Sequence, residues 1–312
     1  TNRYNKLIAT AKIDWNGEEL NLSLLRPYLT AADRSVRRAA YEKYTAFFAG
    51  IQDELDEIYD ELVKNRTEQA RMLGYSNFVP LGYDRMMRNS YGAEEVKSFR
   101  EQIKRDFVPF AERLHEERRA RLGVEKLSYI DEGVYYPEGN PAPELSPEEI
   151  LKAGQVMYRD MSKETQEFFD FMLENELFDV LGRKTKRAGG YMTYLPSLKA
   201  PFVFSCFNHT IFDMQVLTHE LGHAFAGYMA MRSQPISDYY SESTDIAEIH
   251  SMSMEQFAYP YAEWFFGDQA DKFRFAHLQE ALTFVPFGVA VDEFQHICYA
   301  HPELTPKERT YQ

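Results

Sequence analysis

The sequence predicts a mostly α-helical fold with one small β-sheet near residues 190–208. Two long stretches, residues 30–72 and 92–121, are rich in Ala, Glu, Arg and Leu, which favour helix. Aromatic and β-branched residues, which favour strands, are concentrated in two short segments, Tyr191–Leu195 and Pro201–Phe207. The sheet is therefore expected to be a minor part of a helical protein.

The chain shows no internal repeat, low-complexity tract or long linker. We therefore expect one mostly helical region over residues 1–312. Within it, residues 1–188 form a helical part, and residues 189–312 contain the strand segment followed by further helices.

Local signals place the starts and breaks of the helices. Thr30 is expected to cap a helix that runs to Met72 and breaks near Gly50. Pro109 is expected to kink the helix over residues 92–121. Ser146–Glu149 (SPEE) forms a capping box with proline at the first helical position, so a new helix starts there.

Composition and charge exclude several function classes. The 312 residues carry a formal net charge of −14, which disfavours nucleic acid and anionic membrane surfaces as partners. No apolar run reaches the roughly eighteen residues that a membrane span needs. Cys206 and Cys298 lie far apart without a paired spacing, which indicates reduced thiols and a cytoplasmic protein. The sequence carries no signal for an oligomeric state.

One pentapeptide carries the strongest chemical signal. His219-Glu220-Leu221-Gly222-His223 is an H-E-x-x-H motif within residues 213–229, which are expected to be helical. Residues four apart share one face of a helix, so His219 and His223 can present their imidazoles to one ion, with Glu220 beside them. This arrangement predicts a site for one zinc ion.

A catalytic zinc takes three protein ligands and leaves a fourth position open for water. Glu248, twenty-five residues after His223, is the candidate third ligand, on a second helix expected to pack against the first. Asp245, Ser251 and Glu255 are expected to lie on the same stripe as Glu248 and to support the ligands from outside. His250 is expected to point away from the metal.

These residues resemble a known family. Thr218–Phe225 (THELGHAF), followed by Asp245–Glu248, Ser251 and Glu255, is similar to the thimet oligopeptidase and oligoendopeptidase F family of zinc metallopeptidases. The likeness is strongest to the oligoendopeptidase F branch. Three further segments carry the likeness: Gly189–Pro196, Pro201–Ser205 and Val291–His296. It extends from about Ile13 to the end of the chain.

The resemblance implies a zincin-like helical fold, with two halves around a deep channel and zinc at the channel floor. It implies His219, His223 and Glu248 as metal ligands and Glu220 as the catalytic carboxylate. The implied activity is zinc-dependent endopeptidase cleavage of short oligopeptides, with Glu220 as general base. No nucleic acid or membrane partner is implied.

Substrate contacts are expected from the strand segment and the turn that follows it. An edge of the strand at residues 202–207 could pair with an extended peptide. The candidate substrate-binding residues are Tyr191, Phe204, Ser205 and His209. His209 departs from the family, which usually has glycine at this position.

The family's members also extend beyond both ends of this chain, so the resemblance implies that N- and C-terminal parts of the full protein are missing. The absent C-terminal segment bears tyrosines and a histidine that help to hold the substrate carbonyl.

Two alternatives stay open. One is a zinc peptidase of unrelated architecture. The other is a non-catalytic, zinc-stabilised protein that binds peptides or acts as a scaffold. Glu220 favours catalysis, because a structural zinc site does not need it.

Overall fold

The computed structural model describes residues 2–183, 186, 189–241 and 243–311. Helices dominate these residues, as the sequence predicts. The helices are α1 (Asn2–Ala9), α2 (Leu22–Leu29), α3 (Arg34–Gly50), α4 (Gln52–Met72), α5 (Phe78–Arg85), α6 (Ala93–Gln102), α7 (Val108–Leu122), α8 (Pro147–Met161), α9 (Lys163–Glu174), α10 (Ile211–Ser233), α11 (Thr244–Phe257), α12 (Glu263–Phe266), α13 (Ala270–Ala300) and α14 (Pro306–Thr310). The strands are β1 (Ile13–Trp15), β2 (Glu18–Leu20), β3 (Phe178–Leu181), β4 (Tyr191–Leu195) and β5 (Ala200–Phe207).

The chain divides into two compact units. The first contains the chain up to Leu7, Tyr44–Ser128 and the chain from His277 onward. The second contains Ile8–Lys43 and Tyr129–Ala276. Each unit draws residues from both sides of position 188, and the single region predicted from the sequence stays a prediction.

The second unit contains a three-stranded sheet in the order β3-β5-β4. β5 pairs in parallel with β3 and antiparallel with β4, where Tyr191 lies opposite Phe204. The two strands predicted from the sequence are thus confirmed, and β3 is a third strand that the sequence did not predict. β3 has only four residues, too few for an alternating pattern to separate it from the end of α9.

A hairpin of β1 and β2 was also missed. The two strands are antiparallel and joined at Asn16 and Gly17, which both have positive φ (54° and 86°). An Asn-Gly pair is a strong sequence signal for such a turn, because both central residues of a type I′ turn need positive φ. Strands of three residues left no further pattern to detect.

α10 lies at the centre of the second unit, against β4, β5, α8, α9 and α11. Its apolar side chains are part of a hydrophobic core in which many side chains are fully buried. Each large apolar side chain buried in this way stabilises the fold by about 1.5–3 kcal/mol. The largest include Tyr158, Phe168, Phe169, Phe265, Phe266, Met214 and Leu221. The core therefore holds α10 between the sheet and α11.

Helix starts follow the predicted signals in part. Ser146 and Glu149 form the predicted capping box at α8, with Pro147 in its first turn. Thr30, however, ends α2. Asp33 instead accepts the Ser35 N–H (2.8 Å) at the start of α3, so the predicted cap at Thr30 is wrong.

The predicted kink at Pro109 is replaced by a π-helical turn. This turn, Ile103–Phe107, joins α6 to α7, and Pro109 follows in the first turn of α7. The helical run continues through the π-turn, and because proline has no N–H group it cannot make the next i→i−4 bond; the π-turn before it lies where this ladder of hydrogen bonds is interrupted.

The first unit is built mainly from α4, α5, α6, α7 and the part of α13 from His277 onward. Buried Arg309 binds Asp60 (2.9 Å), and Arg100 binds Asp292 (2.6 Å). His296 lies 3.1 Å from the Tyr83 hydroxyl, in a packing role. Within the described part of the chain, no helix is long and apolar enough to cross a bilayer.

Candidate metal centre

Two histidines one turn apart on α10 form the base of the site. The His219 and His223 rings lie 5.0 Å apart, nearly perpendicular to each other. Their side chains are 32% and 16% exposed, so both are partly enclosed yet reachable from solvent. The helical spacing of four residues brings them to one face, as the sequence predicts.

Glu248 on α11 faces both histidines. Its Oε2 atom lies 3.3 Å from His219 Nε2 and 3.6 Å from His223 Nε2. The three candidate ligand atoms all lie within 4.8 Å of one another. Two ligand atoms about 2.1 Å from one tetrahedral ion would be roughly 3.4 Å apart, so these distances and donor types fit zinc.

Two further side chains on α11 reach the candidate ligands. Glu255 Oε1 lies 2.6 Å from His219 Nδ1, and the Ser251 hydroxyl donates to Glu248 Oε2 (2.8 Å). Burial lowers the pKa of His219, but the carboxylates of Glu255, Glu220 and Glu248 together raise it above the ordinary value, with Glu255 contributing most. Asp245, the third residue predicted from the sequence to support the metal ligands, is exposed to solvent.

Glu220 follows His219 and contacts the sheet. The backbone N–H of Met192 on β4 hydrogen-bonds to the Glu220 carboxylate. Burial raises the pKa of Glu220, His219 opposes the rise, and Glu248 adds to it, so the pKa lies above its usual range. A raised pKa means that this carboxylate holds a proton more readily than a free glutamate does, which suits a group that accepts and then releases a proton.

Gly190 leaves space beside this carboxylate. A Cβ atom at Gly190 would lie 3.3 Å from Glu220 Oε1, 3.5 Å from Phe204 O and 3.5 Å from Ser205 Oγ. The sequence places Gly190 in the segment Gly189–Pro196 that carries the family resemblance but gives it no contact with Glu220. Its role beside Glu220, like that of the Met192 N–H, depends on how β4 docks against α10.

Three of the predicted substrate-binding residues lie on the sheet, and the fourth, His209, lies in the turn before α10. Tyr191 is exposed and stacks on Phe204 (5.1 Å), while Ser205 is buried near Gly190. His209 is exposed before the start of α10. α10 begins only at Ile211, eight residues or about 12 Å of helical rise before His219, and His209 is not part of the metal cluster.

The predicted peptide-binding edge at residues 202–207 is wrong. β5 is the central strand and is paired on both sides. β4 is an outer strand of this sheet, and among the described residues its second edge has no partner strand. Backbone groups on that edge are those that an extended peptide could pair with.

Comparison with known proteins identifies the family. The model of peptidase family M3 matches residues 28–311. The chain belongs to peptidase family M3. Membership of this family implies a bound metal ion. Among the described residues, His219, His223 and Glu248 form the cluster that could hold it.

Known M3-like sequences cover most of this chain. An oligoendopeptidase F homolog of Lactococcus lactis subsp. lactis (strain IL1403) is 23% identical over 227 residues, 73% of this chain and 36% of that protein. Group B oligopeptidase PepB of Streptococcus agalactiae serotype III (strain NEM316) is 24% identical over 250 residues, 77% of this chain and 39% of that protein. The chain therefore spans well under half the length of these curated relatives.

Solved structures confirm the mostly helical fold with its small sheet. Pz peptidase A with inhibitor 2 is 48% identical, with a TM-score of 0.96 over 99% of this chain and 55% of that chain. A Bacillus anthracis str. Ames protein assigned as an oligoendopeptidase F is 49% identical, with a TM-score of 0.96 over 99% of this chain and 57% of that chain. The M3 chain thus corresponds to about half of each.

Proposed function

We propose that this chain carries the catalytic centre of a zinc endopeptidase that hydrolyses internal bonds of short oligopeptides. The observation that carries the proposal is the convergence of His219, His223 and Glu248 (within 4.8 Å) with Glu220 next in sequence to His219. Two imidazoles and one carboxylate are a known ligand set of catalytic zinc sites. The names of the relatives, oligoendopeptidase and oligopeptidase, are consistent with short peptides as substrates.

The proposed mechanism assigns one role to each group. A zinc ion held by His219, His223 and Glu248 would lower the pKa of a bound water to about 7 and polarise the scissile carbonyl. Glu220 accepts a proton from the attacking water, whose oxygen bonds to the carbonyl carbon. When the C–N bond breaks, Glu220 delivers that proton to the leaving amine.

We further propose that the substrate binds as an extended strand along β4. The Met192 N–H reaches the Glu220 carboxylate, so β4 passes directly beside the proposed base. A peptide paired with the outer edge of β4 would run past this carboxylate. Tyr191, Phe204 and Ser205 lie in the same part of the sheet, whereas a contribution from His209 requires a peptide that extends toward the start of α10.

Family membership and net charge support a role in peptide turnover without nucleic acid or membrane partners. The predicted cytoplasmic location and the deep channel stay predictions.

The test is cleavage of quenched fluorescent peptides of graded length, with and without a chelator. The wild-type chain should cleave short peptides and lose activity with the chelator. Glu220→Gln should abolish turnover yet retain zinc, whereas His219→Ala, His223→Ala or Glu248→Ala should lose turnover and tight zinc binding, keeping only the weak binding of the two remaining ligands. Wild-type turnover by Glu220→Gln, or cleavage that resists the chelator, would reject the mechanism. Zinc retention without cleavage of any peptide by the wild-type chain would favour the non-catalytic alternative.

A further inference from the structure

Gly222 lies between the two histidine ligands on α10, where this helix meets α11. A Cβ atom at Gly222 would lie 2.6 Å from Ser251 Cα and 2.7 Å from His250 O. Cβ atoms essentially never come this close to other heavy atoms, and both of these belong to backbone. The two helices therefore approach at a distance that only glycine permits at this position.

The local conformation gives no other reason for glycine. Gly222 is buried inside the 23-residue α10 and is not among the residues with positive φ. A glycine inside a helix costs about 1 kcal/mol relative to alanine. The close approach of α11 accounts for a residue that helix propensity disfavours.

This contact lies beside the third ligand. His250 and Ser251 follow Glu248 by two and three residues on α11, so a shift of their backbone carries Glu248 with it. A methyl group at position 222 would need carbon contacts of about 3.5 Å, which moves the two backbones apart by roughly 1 Å. Metal–ligand distances tolerate only about 0.2 Å, so such a shift would disturb the site.

We propose that Gly222 is a positioning residue, which sets the spacing of α10 and α11 so that Glu248 meets His219 and His223. The inference rests on the proposed zinc site. It assigns to Gly222 a role in metal affinity that acts through Glu248.

Gly227 on the same helix provides a matched control. A Cβ atom there would meet the side chain of Tyr194 on β4, with Cε1 at 2.3 Å, instead of the backbone of α11. Gly227→Ala therefore adds the same methyl group to the same buried helix but pushes on a rotatable ring. None of its three nearest atoms belongs to α11, so this methyl group does not push α10 and α11 apart.

The experiment measures zinc affinity by competition with a fluorescent chelator, independently of peptide cleavage. Gly222→Ala should bind zinc about 10–100-fold more weakly than wild type, the range found for residues that support metal ligands. Gly227→Ala should stay within about twofold. Equal losses in the two variants, or no loss in Gly222→Ala, would overturn the inference.

A double-mutant cycle tests whether the effect passes through Glu248. In a Glu248→Ala background, Gly222→Ala should change zinc affinity by no more than about twofold, because the ligand it positions is already absent. A full loss in that background would show general damage to α10 and would contradict the proposed role. A wild-type chain that binds no zinc would instead reject the proposed function itself.

A second variant keeps the test valid if Gly222→Ala fails to fold. Glu248→Asp shortens the ligand by one methylene and leaves the helix contact unchanged. If the spacing is fixed at Gly222, the shorter carboxylate cannot reach the histidines, and zinc affinity should fall at least about tenfold. Affinity near that of wild type would mean that α11 adapts its position, which would overturn the inference.

Discussion

Glu255 Oε1 lies 2.6 Å from His219 Nδ1, on the side of the ring opposite to the Nε2 atom that faces Glu248. This contact holds the ring in the orientation that directs Nε2 to the metal position. α11 therefore supplies both a candidate ligand, Glu248, and the carboxylate that orients another. Such outer carboxylates raise the basicity of the imidazole they contact.

Removal of Glu255 should weaken zinc binding. Glu255→Ala leaves Nδ1 of His219 without this partner, and zinc affinity should fall about 10–100-fold in a chelator competition titration. Glu255→Gln should lose less, since its amide oxygen still accepts a hydrogen bond. The adjacent exposed Gln256→Ala serves as control. Equal affinities for Glu255→Ala and Gln256→Ala would contradict the orienting role.

Ser251 should make a smaller contribution. Its hydroxyl donates to Glu248 Oε2 (2.8 Å) from a fully buried position. Loss of one hydrogen bond costs about 1 kcal/mol, which corresponds to roughly fivefold in affinity. Ser251→Ala should show that loss by isothermal titration with zinc, whereas Ser253→Ala should not. The expectation fails if the two serine variants bind zinc equally well.

Gly190→Ala should slow peptide cleavage without changing zinc affinity. The added methyl group would lie 3.3 Å from Glu220 Oε1 and displace the carboxylate from its position. The carboxylate must give way by a few tenths of an ångström, less than the misplacement of about 1 Å that can cost 100-fold, so kcat/KM should fall on the order of 2–10-fold. Gly288→Ala in α13, where the nearest atom is 3.6 Å away, is the control. Unchanged kcat/KM in Gly190→Ala would exclude Gly190 from the active site.

Asp213 should make stability depend on pH. It accepts the N–H groups of Asn208 (2.9 Å) and His209 (2.8 Å), yet burial raises its pKa to about 6. A raised carboxyl pKa means that the folded state binds the proton more tightly, so ionisation destabilises the fold. This cost is absent below the unfolded pKa, near 3.8, and complete above about 6.

The difference between wild type and Asp213→Asn isolates this effect. As pH rises from about 4 to above 6, the free energy of unfolding of wild type should fall relative to the variant by up to ~3 kcal/mol. Urea unfolding followed by circular dichroism at several pH values measures the difference. A constant difference across this range would show that Asp213 has an ordinary pKa.

Local patterns in the sequence were sufficient for part of the fold. β4 and β5 were predictable because each is rich in aromatic residues. The Asn16–Gly17 turn was equally readable, but three-residue strands gave it no context. Thr30 was misassigned because its hydroxyl bonds back to the carbonyl groups of Arg26 and Pro27 at the end of α2, and Asp33 takes the capping position at α3.

In the metal centre, too, some features follow from local sequence patterns and others depend on contacts between distant parts of the chain. The four-residue spacing of His219 and His223 fixes their common face. The 3.3 Å contact of Glu248, by contrast, depends on how α11 docks, which no local pattern encodes. Gly222 was visible within the motif, but only the backbone of α11 beside it reveals its role.

The exposure of Glu248 bears on how this chain can take up a metal ion. In this chain 45% of its side chain is open to solvent, so an ion can reach the ligands without unfolding of α10 or α11. Metal can then enter after the polypeptide has folded, and one ion can exchange for another in the folded protein. Which divalent ion occupies the centre is then set by the supply at the time of loading as well as by intrinsic affinity, since histidine and carboxylate ligands accept several first-row metals.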